Sequence, residues 1–221
     1  MNAEVSPSDV VGDRLAKPDR VVALSDGVFA IVITLLVLEV AVPDNLAEQS
    51  LRSSLEELRP TFGAWVISFL ITGMYWVMHR DLFSRIKAVN RGLVWLNLLY
   101  LLPVSLIPFA ASVLGKYPDT AIALHLYGAI MITATLMRLT LNWYVVRHPA
   151  LLWPEVSKDR GRLAIAIMAA PILVYVLAMV VASAMPELSI LLYLAVPALY
   201  YLLVTLLRAR PGTRDEADEL D

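Results

Sequence analysis

An all-α membrane protein with six transmembrane helices is the fold this sequence predicts, and three observations carry the prediction. Of its 221 residues, 59% are hydrophobic and 17% charged, which is more apolar side chain than a soluble domain of this size can bury. Six apolar segments of about 20 residues can be marked, the length that crosses about 30 Å of hydrocarbon at about 1.5 Å per residue. The basic residues are divided unevenly between the two sets of segment ends, and such asymmetry sets orientation in a bilayer.

The segments run over residues 21–42, 61–83, 92–114, 119–146, 162–184 and 188–207. Residues 1–19 form a charged N-terminal segment, 20–208 the six-helix domain, and 209–221 an acidic tail, Pro211-Gly-Thr-Arg-Asp-Glu-Ala-Asp-Glu-Leu-Asp221, expected to be disordered. The first 19 residues mix acidic with basic side chains and lack a small-residue cleavage site, so no cleaved leader is expected and the first apolar segment stays as a membrane helix. Between spans one and two, Leu51, Leu55 and Leu58 recur at helical spacing among glutamates, which predicts a short amphipathic helix. Pro103 and Pro108 are placed to kink span three. Residues 147–161 make a loop in which Trp153 can sit at the membrane interface.

Lys17, Arg20, Arg80, Arg85, Lys87, Arg91, Arg147, Lys158 and Arg208 fall at one set of ends, with Arg52, Arg59 and Lys116 at the other. The positive-inside rule therefore puts both termini in the cytoplasm, as six spans require. No cysteine is present, which excludes disulfides, thiolate nucleophiles and zinc–thiolate sites. No nucleic-acid partner, metal site or cofactor is expected.

Span one draws attention because Arg20, Asp26 and Glu39 lie in or beside its apolar run, and ionisable groups near a membrane interior mark function by default. At 100° per residue, Ile31, Thr34, Leu35 and Leu38 share an arc of about 100°, whereas Asp26 lies about 140° from Ile31. No Gly or Pro falls between Val28 and Val42, so the backbone carbonyls are engaged within the helix and cannot line a looped carbonyl filter. Leu and Ile at such spacing are more often lipid-facing or core residues, and a membrane threonine often bonds its own helix carbonyl. Span two adds Trp76, His79, Arg80 and Phe83 at helical spacing near the end that carries Arg20 and Asp26, and span three adds the amide of Asn97 within its apolar stretch.

Arg20-x-x-x-Leu24-Ser25-Asp26-Gly27, the following Ile31, Thr34, Leu35 and Leu38, Trp76-x-x-His79, Leu96-Asn97 and Ile107-Pro108-Phe109 together resemble the transmembrane protein 175 potassium channels. The resemblance covers spans one to four, and spans five and six in hydropathy alone. Two positions depart from the family pattern: Leu24 stands where phenylalanine is usual, and Arg80 where a second histidine often follows the first. The resemblance implies a homotetramer in a cell (plasma or inner) membrane, with four copies of span one lining a central pore and potassium as the permeant ion. Ile31, Leu35 and Leu38 would form stacked apolar constrictions with the Thr34 hydroxyl near the ion. Arg20, Ser25, Asp26, Trp76, His79 and Asn97 would form a structural polar network holding the pore helix on spans two and three.

Such a pore would select modestly, through width and dewetting, because apolar rings cannot replace hydration water as carbonyls do. A proton channel or proton-coupled secondary transporter of the same architecture is the alternative. A transporter calls for midplane charges, which only Asp26, Glu39 and Arg138 approach. An intramembrane hydrolase would have to use Ser25 with His79, and neither Gly-x-Ser-x-Gly nor His-Glu-x-x-His occurs.

Overall fold

The chain is helical throughout its ordered framework, seen in a computed structural model that describes residues 15–41, 48–154 and 161–208. The expected disordered tail at 209–221 and most of the N-terminal segment lie outside the described residues. The helices are α1 (Asp19–Leu38), α2 (Glu48–Glu57), α3 (Arg59–Phe83), α4 (Arg91–Ser105), α5 (Ile107–Lys116), α6 (Ala121–Arg147), α7 (Gly161–Val181) and α8 (Pro186–Arg208), with a 3-10 turn at Pro149–Leu151. Among the described residues, α1, α3, the α4–α5 rod, α6 and α8 through Thr205 are long and apolar enough to cross a membrane, and α7 contributes a shorter apolar stretch, Met168–Val181.

Local sequence explains most boundaries. α1 begins behind Pro18, whose carbonyl accepts from the amides of Val21 and Val22. Its end at Leu38 corrects the expected span to residue 42: Glu39 is the C-cap, and the Val40 amide closes a tighter turn on the Val37 carbonyl at 3.1 Å. Pro43 has no N–H to donate and disfavours helical backbone just before it, so the helix could not have continued far. The predicted kink in span three is a break. Pro103 removes one helical hydrogen bond and Pro108, in the first turn of α5, another, so the chain steps across Leu106 between two helices. α4 opens with a side-chain cap, the Asn90 Oδ1 accepting from the Leu93 amide at 2.9 Å.

α6 lies at the centre, packed on α4, α5, α7 and α8, while α1 packs on α3, α4 and α5. The core of the bundle is apolar, with aromatic hydroxyls placed where partners exist. The Ser68 and Tyr127 hydroxyls pair at 3.0 Å, and the Tyr75 hydroxyl donates to the Met131 carbonyl at 3.0 Å while meeting the Thr135 hydroxyl at 2.9 Å. These side-chain bonds bridge α3 and α6 and hold the two helices in parallel register.

At one end of the bundle three chain segments are tied by backbone bonds. Ala16 pairs with Val89, and Ile86 with Leu152, as isolated antiparallel bridges. The loop after α3 thus holds the approach to α1 on one side and the loop after α6 on the other. At the opposite end, Glu39 and Lys116 approach to 4.0 Å.

Candidate functional site on the first helix

α1 has two faces of different character. Ser25, Phe29, Val32 and Leu36, spaced by four, three and four residues, are buried against the bundle. The face turned away carries Ile31 at 59% exposure, Leu35 at 42% and Leu38 at 69%, with Thr34 exposed between them. A single chain therefore leaves this stripe uncovered. The Thr34 hydroxyl donates back to its own helix, with the Ala30 and Ile31 carbonyls at 3.0 and 2.9 Å, which leaves its oxygen lone pairs free to accept a contact from outside.

The buried face is fixed by a short relay of polar groups. The Ser25 hydroxyl donates to the Val21 carbonyl at 2.9 Å and accepts from Asn97 Nδ2, also at 2.9 Å. The other atom of that amide, Oδ1, lies 2.9 Å from His79 Nε2. Because the Ser25 proton is committed to Val21, the amide must donate to Ser25 and accept from the histidine, so the proton of a neutral His79 sits on Nε2. The ring is boxed by aromatics, with Phe83 stacked at 4.4 Å, Tyr100 parallel at 5.8 Å and Phe29 of α1 tilted at 5.8 Å. Ser25 and His79 are therefore separated by Asn97, and the serine hydrogen is already used; this is a structural join.

A second join lies one residue along. Trp76 Nε1 donates to the exposed Asp26 carboxylate at 2.9 Å, and the Arg80 guanidinium lies 5.6 Å from the centre of the same indole. Five of the six residues expected to form a polar network are thus brought together in two joins. Arg20 stands apart, exposed in the first turn of α1 with no ion pair among the described residues. The second-span residues do not share one environment: His79 and Phe83 are buried, Trp76 is half-buried and Arg80 is exposed. Helical spacing alone could not assign these depths, because α1 and α4 both press on that end of α3. Among the described residues no group of three or more His, Asp or Glu side chains is placed to hold a metal ion.

Comparison with known proteins bears on this helix directly. A family model described as "Endosomal/lysosomal potassium channel TMEM175" matches residues 20–108, the stretch from α1 to the start of α5. A curated potassium channel of Streptomyces collinus is 38% identical over 147 residues, which cover 65% of this chain and 71% of that one. The chain belongs to the TMEM175 family. A Chryseobacterium potassium channel is 40% identical over 114 residues, 51% of this chain and 57% of its own. Among solved structures, a lysosomal potassium-selective channel TMEM175 homolog from Chamaesiphon minutus superposes with a TM-score of 0.68 at 27% identity, covering 84% of this chain and 96% of the other. The potassium channel MtTMEM175 shares the fold at a TM-score of 0.56 and 16% identity, covering 93% and 98%.

In this TMEM175-family chain, Leu24 at the departing position is exposed on α1, and Arg80 at the other packs over Trp76. Sequence reading missed Phe29 and Tyr100, which close the box around His79. Phe29 was findable, since it falls four residues after Ser25 on the same helical face; Tyr100 needed the packing of α4 on α3.

Proposed function

We propose that the chain is one subunit of a passive potassium channel, a homotetramer in which four copies of α1 surround a central pore. The observation that carries the reading is the uncovered stripe of α1. Its buried face is anchored by two polar joins, while Ile31, Thr34, Leu35 and Leu38 project away from the subunit's own bundle. Membership of a family whose bacterial relatives are named potassium channels supplies the permeant ion.

In this reading α1, α3, the α4–α5 rod, α6, α7 and α8 are six spans of a multi-pass cell-membrane protein with both termini cytoplasmic. Residues 20–208 form the channel domain. The gathering of Lys17, Arg85, Lys87, Arg91 and Arg147 at the bundle end tied by backbone bridges supports that orientation. Ile31, Leu35 and Leu38 then narrow the pore as successive apolar rings, with the Thr34 oxygen as the polar contact between them. Water leaves such a constriction readily, and an ion crosses it at the cost of part of its hydration shell. Potassium gives up water more easily than sodium, so the rings favour it, though modestly. Ser25, Asn97 and His79, with Asp26 and Trp76, act by holding α1 at a fixed rotation, so that the stripe faces the axis.

The human relative, 24% identical over 68% of this chain and 30% of its own length, is named a proton channel. Residues 27–38 of this chain contain no titratable side chain, and His79 is boxed behind α1. Protons would therefore have to cross the constriction on water alone, and potassium remains the better-supported cargo.

Ile31→Asn tests the assignment. In a tetramer it places one amide per subunit at a ring, eases wetting, and lowers the potassium-to-sodium permeability ratio measured from the reversal potential under bi-ionic conditions. If the stripe faced lipid, the same amide would cost roughly 1–3 kcal/mol and reduce expression while leaving permeation unchanged. A well-expressed Ile31→Asn channel with the parent's reversal potential overturns the pore assignment.

A further inference from the structure

The most costly side chain in the bundle has no part in that pore. Arg138, on α6, is 2% exposed, and its Nε and Nη2 find no hydrogen-bond partner among the described residues. Those two donors share one edge of the guanidinium, the edge that grips a carboxylate as a fork. A guanidinium does not deprotonate in proteins, so its charge inside a membrane bundle calls for a counter-charge. Tyr75, Tyr100 and Tyr200 stand within electrostatic reach of it, and so does one carboxylate, Asp81. Tyrosine hydroxyls satisfy donors, but only the carboxylate neutralises charge.

The helix register places Asp81 at the right depth. The Ser68–Tyr127 and Tyr75–Thr135 hydrogen bonds join residues 59 and 60 apart in sequence. Arg138 is thus level with Met78, and Asp81 lies about one turn further toward the basic end. From Asp81, contacts continue to the pore helix. Its carboxylate is 3.3 Å from Arg80 Nη2, Arg80 lies over the Trp76 ring, and Trp76 donates to Asp26 of α1.

We infer that Asp81 is the counter-ion of Arg138 and divides its carboxylate between the Arg138 fork and Arg80, so that the buried cation positions the cytoplasmic end of α1 through Arg80, Trp76 and Asp26. With the carboxylate at Arg80, that guanidinium is held at 3.3 Å and lies over the Trp76 ring at once; a carboxylate turned toward Arg138 releases it and leaves its seat on the indole unsupported. The second half of this inference rests on the pore reading of α1, whereas the Arg138–Asp81 pairing is independent of it.

The test uses the full chain, purified for thermal melts and reconstituted for single-channel recording. Asp81→Asn and Arg138→Met should each lower the melting temperature by about 5 °C, as expected when a coupled buried pair is broken. The double variant should melt no lower than the weaker single one, and Asp81→Glu should stay near the parent. Asp81→Asn should change open probability several-fold while unitary conductance and reversal potential stay at the parent values. In a Trp76→Phe background that change in open probability should vanish while the melting loss persists. Melting losses that add in the double variant, or an Asp81→Asn protein as stable as the parent, overturn the pairing; an effect on opening that survives Trp76→Phe overturns the route. Should Asp81→Asn fail to fold, recovery of folded protein by adding Arg138→Met supports the pairing, and failure to recover while Arg138→Met alone folds overturns it. If Ile31→Asn refutes the pore, the melting cycle still reports on the pair.

Discussion

Asn97 is the residue on which the seating of α1 turns. Its amide has one donor directed at Ser25 and one acceptor directed at His79, across three helices. An apolar replacement leaves the His79 Nε2 buried without its partner and strips Ser25 of its donor while its own bond to Val21 remains, at a cost of about 1–3 kcal/mol. Asn97→Leu is therefore expected to lower the melting temperature of the purified protein by a few degrees, and a melt indistinguishable from the parent would show that the relay contributes nothing. Asp26 behaves differently because only its acceptor is used. Asp26→Asn keeps an oxygen for Trp76 Nε1 and should retain assembly, whereas Asp26→Ala removes it and should impair assembly or opening, with the reversal potential unchanged in both. Altered selectivity in a normally assembled Asp26→Ala channel would place that carboxylate in the pore instead. The residue types were legible in the sequence, but their pairing was not. Ser25 and Asn97 are 72 residues apart and Asp26 and Trp76 are 50, so only helix packing could choose among the possible partners.

Among the elements, the α4–α5 rod shows how a break can serve packing. Two prolines divide it at Leu106, and α5 then closes tightly on α3 at the end of the bundle opposite the backbone bridges. The contact depends on Gly115: a Cβ there would lie 2.8 Å from the Thr61 Cα, and backbone cannot yield as a flexible side-chain tip can. Gly115→Ala should force the two helices apart and cost about 1–3 kcal/mol, read as a lower melting temperature; an unaffected melt would mean that the interface shifts freely. Hydropathy located every long helix, and proline chemistry foresaw the interruption. The end of α1 was placed four residues late, because apolar residues continue past the point where the backbone has begun to turn away from helix.

At the scale of the whole molecule, the three segments joined at the basic end link the approach to α1, the loop after α3 and the loop after α6 into one platform. Orientation can be read from it chemically, because the chain has no cysteine of its own. A single cysteine introduced as Lys87→Cys should react with a membrane-impermeant maleimide only after the membrane is opened, and Arg52→Cys should react in intact cells. The opposite pattern would invert the assigned topology. Four-fold assembly is testable by mass measurement of the detergent-solubilised protein, with the tetramer as the expected species.

Composition and segment length alone determined that this chain is a helical protein with membrane-spanning segments, because the bilayer imposes those requirements on any sequence. Spacing within span one also separates the apolar stripe from the Asp26 carboxylate on the helix wheel. Only the tertiary structure decided which face of α1 the bundle covers, that His79 is boxed by Phe29, Phe83 and Tyr100, and that Arg138 is buried. Those outcomes depend on the rotation and register of helices distant in sequence, which close packing settles and which no local pattern of residues encodes.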